Sequence, residues 1–292
     1  MSSRQTLGLN RRKREQHPCG LCGDRVKLTR THIPPQCAGN RGLVGRRRLV
    51  VDGGQADLTK RSPGGLYVYG LCPSCNNLQS RFDAAYGELA GAVRPLWIRD
   101  ARIRTAGKLP LPGDEIRPGA VARSMLIGFL GLSPQLRVNF PDLPLQLLAG
   151  APAVILPMKL RLRLALARGT MARLTGSIVG FISVDHPPDE DAVGIANVGQ
   201  VYFPPLAWQL APPEPSALLR KPSKSLLDQQ GWADVTSWAL HDPDERIALS
   251  TLCPALPAVV HPKHHPAQAE WWVEVLSSQI TEILECDNVP PT

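Results

Sequence analysis

The chain has 292 residues, 43% of them hydrophobic and 20% charged, with a formal net charge of +8. That length allows one large domain or two ordinary ones. No run of about eighteen apolar residues escapes a breaker, so no membrane helix is expected; the best stretch, residues 143–158, carries three prolines and reads as strands and turns.

The charge is unevenly spread. Residues 1–64 hold fourteen Lys/Arg against four Asp/Glu, a balance of +10, while the remainder holds nineteen against twenty-one, a balance of −2. Such asymmetry is the footprint of a polyanion partner, nucleic acid above all. Residues 1–16 read as a basic flexible arm without the apolar core of a secretory signal, so the expected address is cytoplasmic. Residues 17–92 form a cysteine module. Cys19-Gly20-Leu21-Cys22 and Cys72-Pro73-Ser74-Cys75 are two matched Cys-x-x-Cys knuckles. Two tight knuckles let four thiolates face one ion, which is the pattern of a structural zinc site. A redox pair would leave the second knuckle unexplained. Cys37, Cys253 and Cys286 stand alone and read as small buried hydrophobes. Residues 64–70, GGLYVYG, read as the strand that leads into the second knuckle, with Tyr67 and Tyr69 on one face for packing or for stacking on bases.

Residues 93–292 carry fewer charges, many prolines and strand-like alternation. Residues 117–132 read as a helix with Pro118 near its start. Residues 158–166 alternate strictly, predicting a half-buried strand with Met158, Leu160, Leu162, Leu164 and Leu166 inward and Lys159, Arg161 and Arg163 outward. Residues 176–184 and 199–210 read as further strands, and 269–286 as a helix with an apolar stripe of Trp272, Leu276, Ile280 and Ile283. The expected fold class is α+β: a small zinc-stabilised ββα module followed by a larger mixed domain.

Between the knuckles lies Thr31-His32-Ile33-Pro34-Pro35, and Asn76 follows the second knuckle at once. These parts together resemble the HNH, or ββα-metal, endonucleases, in the branch with a four-cysteine zinc site. The resemblance covers residues 17 to about 90. It implies a hydrolase that cuts phosphodiester bonds in DNA, with His32 as general base, Asn76 as a ligand of a catalytic Mg2+ or Mn2+, and Cys19, Cys22, Cys72 and Cys75 around structural Zn2+. The asparagine that orients the base is assigned to Asn40, which is otherwise a turn residue before Arg41-Gly42. The residue before the base is usually acidic or histidine and ligates the metal; here it is Thr31, a weak ligand for a hard cation. If residues 74–83 are one helix, Asn76, Ser80 and Asp83 share a face, and Asp83 supplies the missing carboxylate; otherwise Asp83 is a solvated helix residue. Arg41, Arg46, Arg47, Arg48, Lys60, Arg61 and Arg81 are expected to position phosphates. A binder that grips nucleic acid without cutting is the alternative. No membrane partner is expected, and a homodimer is possible.

Overall fold

The structure is a computed structural model, which describes residues 16–49, 56–58, 62–100, 102–103, 107–175, 178–182, 193–197, 199–211, 232–259 and 283–287. The first hairpin, β1 (Gln16–Pro18) and β2 (Arg25–Lys27), is closed by the first knuckle. β3 (Thr29–His32) follows and ends before Ile33-Pro34-Pro35, because proline has no N–H for a ladder. A 3-10 turn at Gln36–Ala38 and the strands β4 (Leu43–Leu49), β5 (Ala56–Leu58) and β6 (Ser62–Pro63) precede β7 (Tyr67–Leu71), the antiparallel partner of β3. β7 runs through Cys72 into α1 (Pro73–Ser80), where Pro73 sits in the first turn and so breaks no helical bond. α1 stops at Ser80, and α2 (Asp83–Val93) starts afresh after Arg81 and Phe82. The single helix expected over 74–83 is therefore two, and Asp83 does not share a helical face with Asn76.

The rest of the chain continues through β8 (Lys108–Pro110), β9 (Glu115–Ile116), α3 (Pro118–Leu132), α4 (Gln135–Asn139), α5 (Asp142–Leu148), β10 (Arg161–Ala167), β11 (Met171–Thr175), β12 (Ile178–Ile182), β13 (Val193–Asn197), β14 (Gly199–Phe203), β15 (Leu206–Ala211), β16 (Ala233–Asp234), β17 (Ile247–Ala248), α6 (Leu249–Leu252), β18 (Ala255–Val259) and β19 (Ile283–Asp287). The fold is α+β, as the sequence implies. Among the described residues the main sheet has the order β5-β4-β19-β11-β14-β15-β10-β18-β8, with β6 beside β4 and β16 beside β10. β3 and β7 form a separate two-stranded sheet.

Several expectations give way here. Residues 143–158 are not strands and turns throughout, because α5 occupies Asp142–Leu148. The alternating run from 158 is not half-buried. Met158 precedes the strand and is 88% exposed, whereas Arg163 on the supposed outer face is 4% exposed. β10 lies inside the sheet, between β15 on one side and β16 and β18 on the other, and both its faces are covered. Arg163 survives burial by donating to Gln209 Oε1 at 3.1 Å. The long strand expected over 199–210 is a hairpin, because Pro204-Pro205 turns the chain between β14 and β15. The end of the helix expected over 269–286 is instead β19, which fills the gap between β4 and β11; residues 269–282 lie outside the described set.

α3 is the centre of the molecule, and every one of its residues is buried. It is apolar on all sides, which is the mark of a helix enclosed by its neighbours. β7, α1, α2, α4 and α5 pack around it. Its one guanidinium, that of Arg123, is satisfied by the carbonyls of Gly119, His241, Ala151 and Pro152 at 2.6–3.0 Å. One hydrophobic core runs from Cys19 to Leu256, across the boundary expected at residue 92. Trp208 on β15 donates to the Tyr86 hydroxyl on α2 at 3.1 Å, both side chains being buried. The cysteine segment is thus built into the larger core.

Candidate metal centre and hairpin site

The two knuckles meet where the β1–β2 turn abuts the start of α1. Cys19, Cys22, Cys72 and Cys75 bring their sulfurs within 4.8 Å of one another. Cys22 and Cys72 Sγ are 3.8 Å apart. Backbone N–H groups point at the sulfurs, as thiolates require: Cys72 N donates to Cys19 Sγ at 3.3 Å and Cys75 N to Cys72 Sγ at 3.4 Å. The second bond also caps α1. The Cys19 thiol is lowered to about 4, first by a hydrogen bond from Cys75 and then by the Cys72, Cys22 and Leu21 backbone, against a cost of burial. Cys75 is raised as the donor of that bond and then by burial. Cys22 is pushed up to about 12, chiefly by desolvation. Four thiolates this close, three of them buried and Cys22 partly so, repel one another, and a divalent cation at their centre is what would let all four ionise together. This cluster can hold a metal ion.

The cluster is seated directly on α3. A Cβ at Gly20 would strike the Leu130 carbonyl, and one at Gly70 the Gly131 carbonyl, so only glycine lets these backbones meet. Gly20 N also donates to Gly70 O at 2.9 Å, tying the knuckle to β7. Beyond the cysteines, β3 and β7 pair as an antiparallel hairpin, and β7 leads through Cys72 into α1.

Side chains alternate along β3. Thr31 points inward: it is fully buried, and its Oγ1 has no hydrogen-bond partner. His32 points to the other face, half-buried. Its Nε2 lies 2.9 Å from Gly64 O. A carbonyl only accepts, so Nε2 carries the hydrogen and Nδ1 keeps the lone pair. Gln36 Nε2 is 3.1 Å from the same His32 nitrogen; with the amide flipped, its oxygen accepts from that N–H, the two amide atoms being interchangeable in shape. Burial lowers the His32 pKa, the Arg30 charge lowers it further, and the Gly64 bond opposes both. His32 is therefore neutral over more of the pH range than an ordinary histidine.

Asn40 is fully buried. Its Nδ2 donates to Pro34 O at 2.6 Å and Leu66 O at 2.8 Å, and its Oδ1 accepts from Leu66 N at 2.6 Å. It is more than a turn residue: it clamps the two chain segments that leave β3 and enter β7. A Cβ at Gly65, where φ is +76°, would strike the Asn40 carbonyl. Asn40 thus fixes the Gly64–Leu66 stretch whose carbonyl holds His32. That Gly64 carbonyl and Gln36 were invisible to motif reading; the Gly64-Gly65 pair ahead of β7 was the only signal.

Asn76 is half-buried in the first turn of α1. Asp83 opens α2, and its carboxyl is pushed up to about 6 by burial; Cys37 Sγ donates to its carbonyl at 3.0 Å. Cys37 is exposed rather than buried, because the 3-10 turn presents it to water, whereas Cys253 is buried as expected. The side chain of Cys286 lies outside the described residues. Arg41 and Arg81 are exposed. Arg46, Arg47 and Arg48 lie on β4, between β5 and β19, with their side chains outside the described residues. Lys60 and Arg61 lie outside them altogether. Among the described residues, no helix is long and apolar enough to cross a membrane. Compared with family models, curated proteins and solved structures, the chain matches none.

Proposed function

We propose that this chain is an HNH-like phosphodiesterase acting on DNA, with zinc in the cysteine cluster. The observation that carries the reading is the β3–β7 hairpin running through Cys72 into α1, with His32 at the hairpin end and its Nε2 fixed by a backbone carbonyl. Zinc fits the cluster. Thiolates about 2.3 Å from a tetrahedral ion lie about 3.8 Å from one another, which is the Cys22–Cys72 separation of 3.8 Å. With Cys19, Cys22, Cys72 and Cys75 as its four ligands the ion would be closed to substrate, and it would serve to lock the knuckle hairpin against α1.

His32 acts through Nδ1. It takes a proton from a water whose oxygen attacks phosphorus; the new P–O bond forms as the bond to the leaving ester oxygen breaks, and that oxygen takes a proton from solvent. A half-buried imidazole whose pKa burial lowers is suited to this near neutral pH. Asn76 Oδ1 and substrate oxygens are the ligands at hand for a magnesium or manganese ion, which when bound would offset charge on the phosphate. Among the described residues, the cysteines are the one group of three or more His, Cys, Asp or Glu side chains close enough to share an ion.

A second reading, nucleic-acid binding without cleavage, is favoured by Thr31: the position before the base carries a buried hydroxyl in place of a carboxylate. One assay separates the two. Purified protein is incubated with plasmid and with single-stranded DNA in magnesium, manganese or EDTA, beside a His32→Ala variant shown to keep its zinc. Metal-dependent nicking that is lost in the variant, with an acid limb whose midpoint falls below 6.5, supports the hydrolase. Binding without cutting in every metal, unchanged by His32→Ala, overturns it in favour of the binder.

A further inference from the structure

The outer face of the β3–β7 hairpin carries a feature that hydrolysis alone does not use. Arg30 pairs with Tyr69 and His32 with Tyr67 across the two strands. Residues opposite one another, and two apart on one strand, share a face, so these four side chains form one surface. The His32 and Tyr67 rings meet edge-on at 5.7 Å and 61°, and Tyr67 and Tyr69 at 5.8 Å and 81°. The Arg30 guanidinium lies 4.9 Å from the Tyr67 ring centre and donates to the Tyr69 hydroxyl at 3.5 Å. Arg30 is exposed and the three rings are half-exposed. The opposite face, with Thr31 and Val68, is buried against the core. Tyr69 packs against the rim of the core, yet both tyrosine rings stay partly open to water, on the face away from Val68.

Three rings and a guanidinium at a water-facing surface are the chemistry that stacks on flat heterocycles. The charge along this part of the sequence matches a polyanion: residues 16–49 hold seven Lys/Arg and one Asp/Glu. In a duplex the base faces are covered by their neighbours, and only unpaired nucleotides present them. We propose that this surface is a stacking platform for unpaired nucleotides, so that the strand held at His32 is single-stranded or locally opened. This rests on the nucleic-acid part of the proposed function, not on cleavage.

The test uses the full chain with its own metal and no added magnesium or manganese. Fluorescence anisotropy is measured with a labelled twenty-residue thymidine strand, a strand of equal length made of abasic sites, and a duplex. The abasic strand keeps the phosphates and removes the stacking partner. The thymidine strand is expected to bind about tenfold tighter than either of the others. Tyr67→Leu and Tyr69→Leu should each lose about tenfold on thymidine and nothing on the abasic strand, with Tyr→Phe at either position restoring it. If a leucine variant fails to fold, the wild-type comparison of thymidine with abasic strand and the phenylalanine variants still decide. Equal affinity for thymidine and abasic strands overturns the platform. Binding of no strand at all overturns both the platform and the proposed function. Base-dependent binding by a protein that cuts in no metal sustains the platform and sinks the hydrolase alone.

Discussion

Asn40→Ala is the perturbation whose cost the structure sets most directly. The side chain is fully buried and makes three hydrogen bonds, to Pro34 O, Leu66 O and Leu66 N. Leu66 O would keep a partner, because Ile33 N also donates to it at 3.3 Å. Pro34 O and Leu66 N would lose the bonds that Asn40 gives them. An orphaned buried backbone group costs about 1–3 kcal/mol, so the variant should lose about 4 kcal/mol. In a chain of this size that is a fall in Tm of about 8–16 °C. Thermal unfolding of the metal-loaded protein by circular dichroism measures it. Asn40→Asp is the control: it keeps the acceptor for Leu66 N but turns an anion toward two carbonyls, and it should be no better than alanine. A loss below about 1 kcal/mol, or an aspartate variant as stable as wild type, would refute the clamp.

Other expectations can be checked alongside. Cys72→Ser removes both a ligand and the sulfur that caps α1, so bound metal measured by mass spectrometry should fall from about one per chain to near zero. Gly70→Ala drives a methyl into the Gly131 carbonyl and should cost about 3 kcal/mol in chemical denaturation, because neither backbone can yield. Asp83→Asn should stabilise the protein in a pH-dependent way. Burial raises the Asp83 carboxyl to about 6, so the folded state bears a cost at pH values where the unfolded chain ionises; that cost is absent below the unfolded pKa, grows as pH rises toward 6 and is level above it. Discounted for partial solvent screening, the gain should be about 1 kcal/mol at pH 8 and smaller at pH 5.5 in urea midpoints, and a gain that grew toward acid would reverse the reasoning.

The parts legible in the sequence were those where chemistry dictates spacing. Four thiolates around one ion need two tight knuckles, and Cys19, Cys22, Cys72 and Cys75 do converge. α3 was legible from Pro118 and the apolar residues Met125, Leu126, Phe129 and Leu130 on one side, whereas its enclosure on every side was not. Long-range neighbours decided the rest. Arg163 looked solvent-facing because alternation reports polarity, yet both faces of β10 are buried, and Gln209 makes burial tolerable. Ile283–Asp287 continued a helical stripe, yet the sheet offered an edge between β4 and β11 that a five-residue segment can fill. The hold on His32 was unreadable for another reason: it comes from a glycine carbonyl, and backbone groups leave no signature in residue type.

One alternation ties the site to the core. Thr31 and His32 are neighbours on β3, so pleating sends one into the protein and the other out. The inward position is walled by α3 and α1, which pack on the hairpin from the core side. A carboxylate there would be buried beside Val68 and would cost several kcal/mol unless a cation paired with it. A threonine avoids that cost at a position built into the shared core. The same packing sets what the metal does. The cysteine knuckle rests on the Leu130 and Gly131 backbone, and β7, α1 and α2 rest on the same helix. Loss of a metal held there would therefore loosen the wall behind Thr31 and the frame of His32 together, so in a chelator titration the circular dichroism signal and the proposed His32-dependent cleavage should fail at one metal concentration.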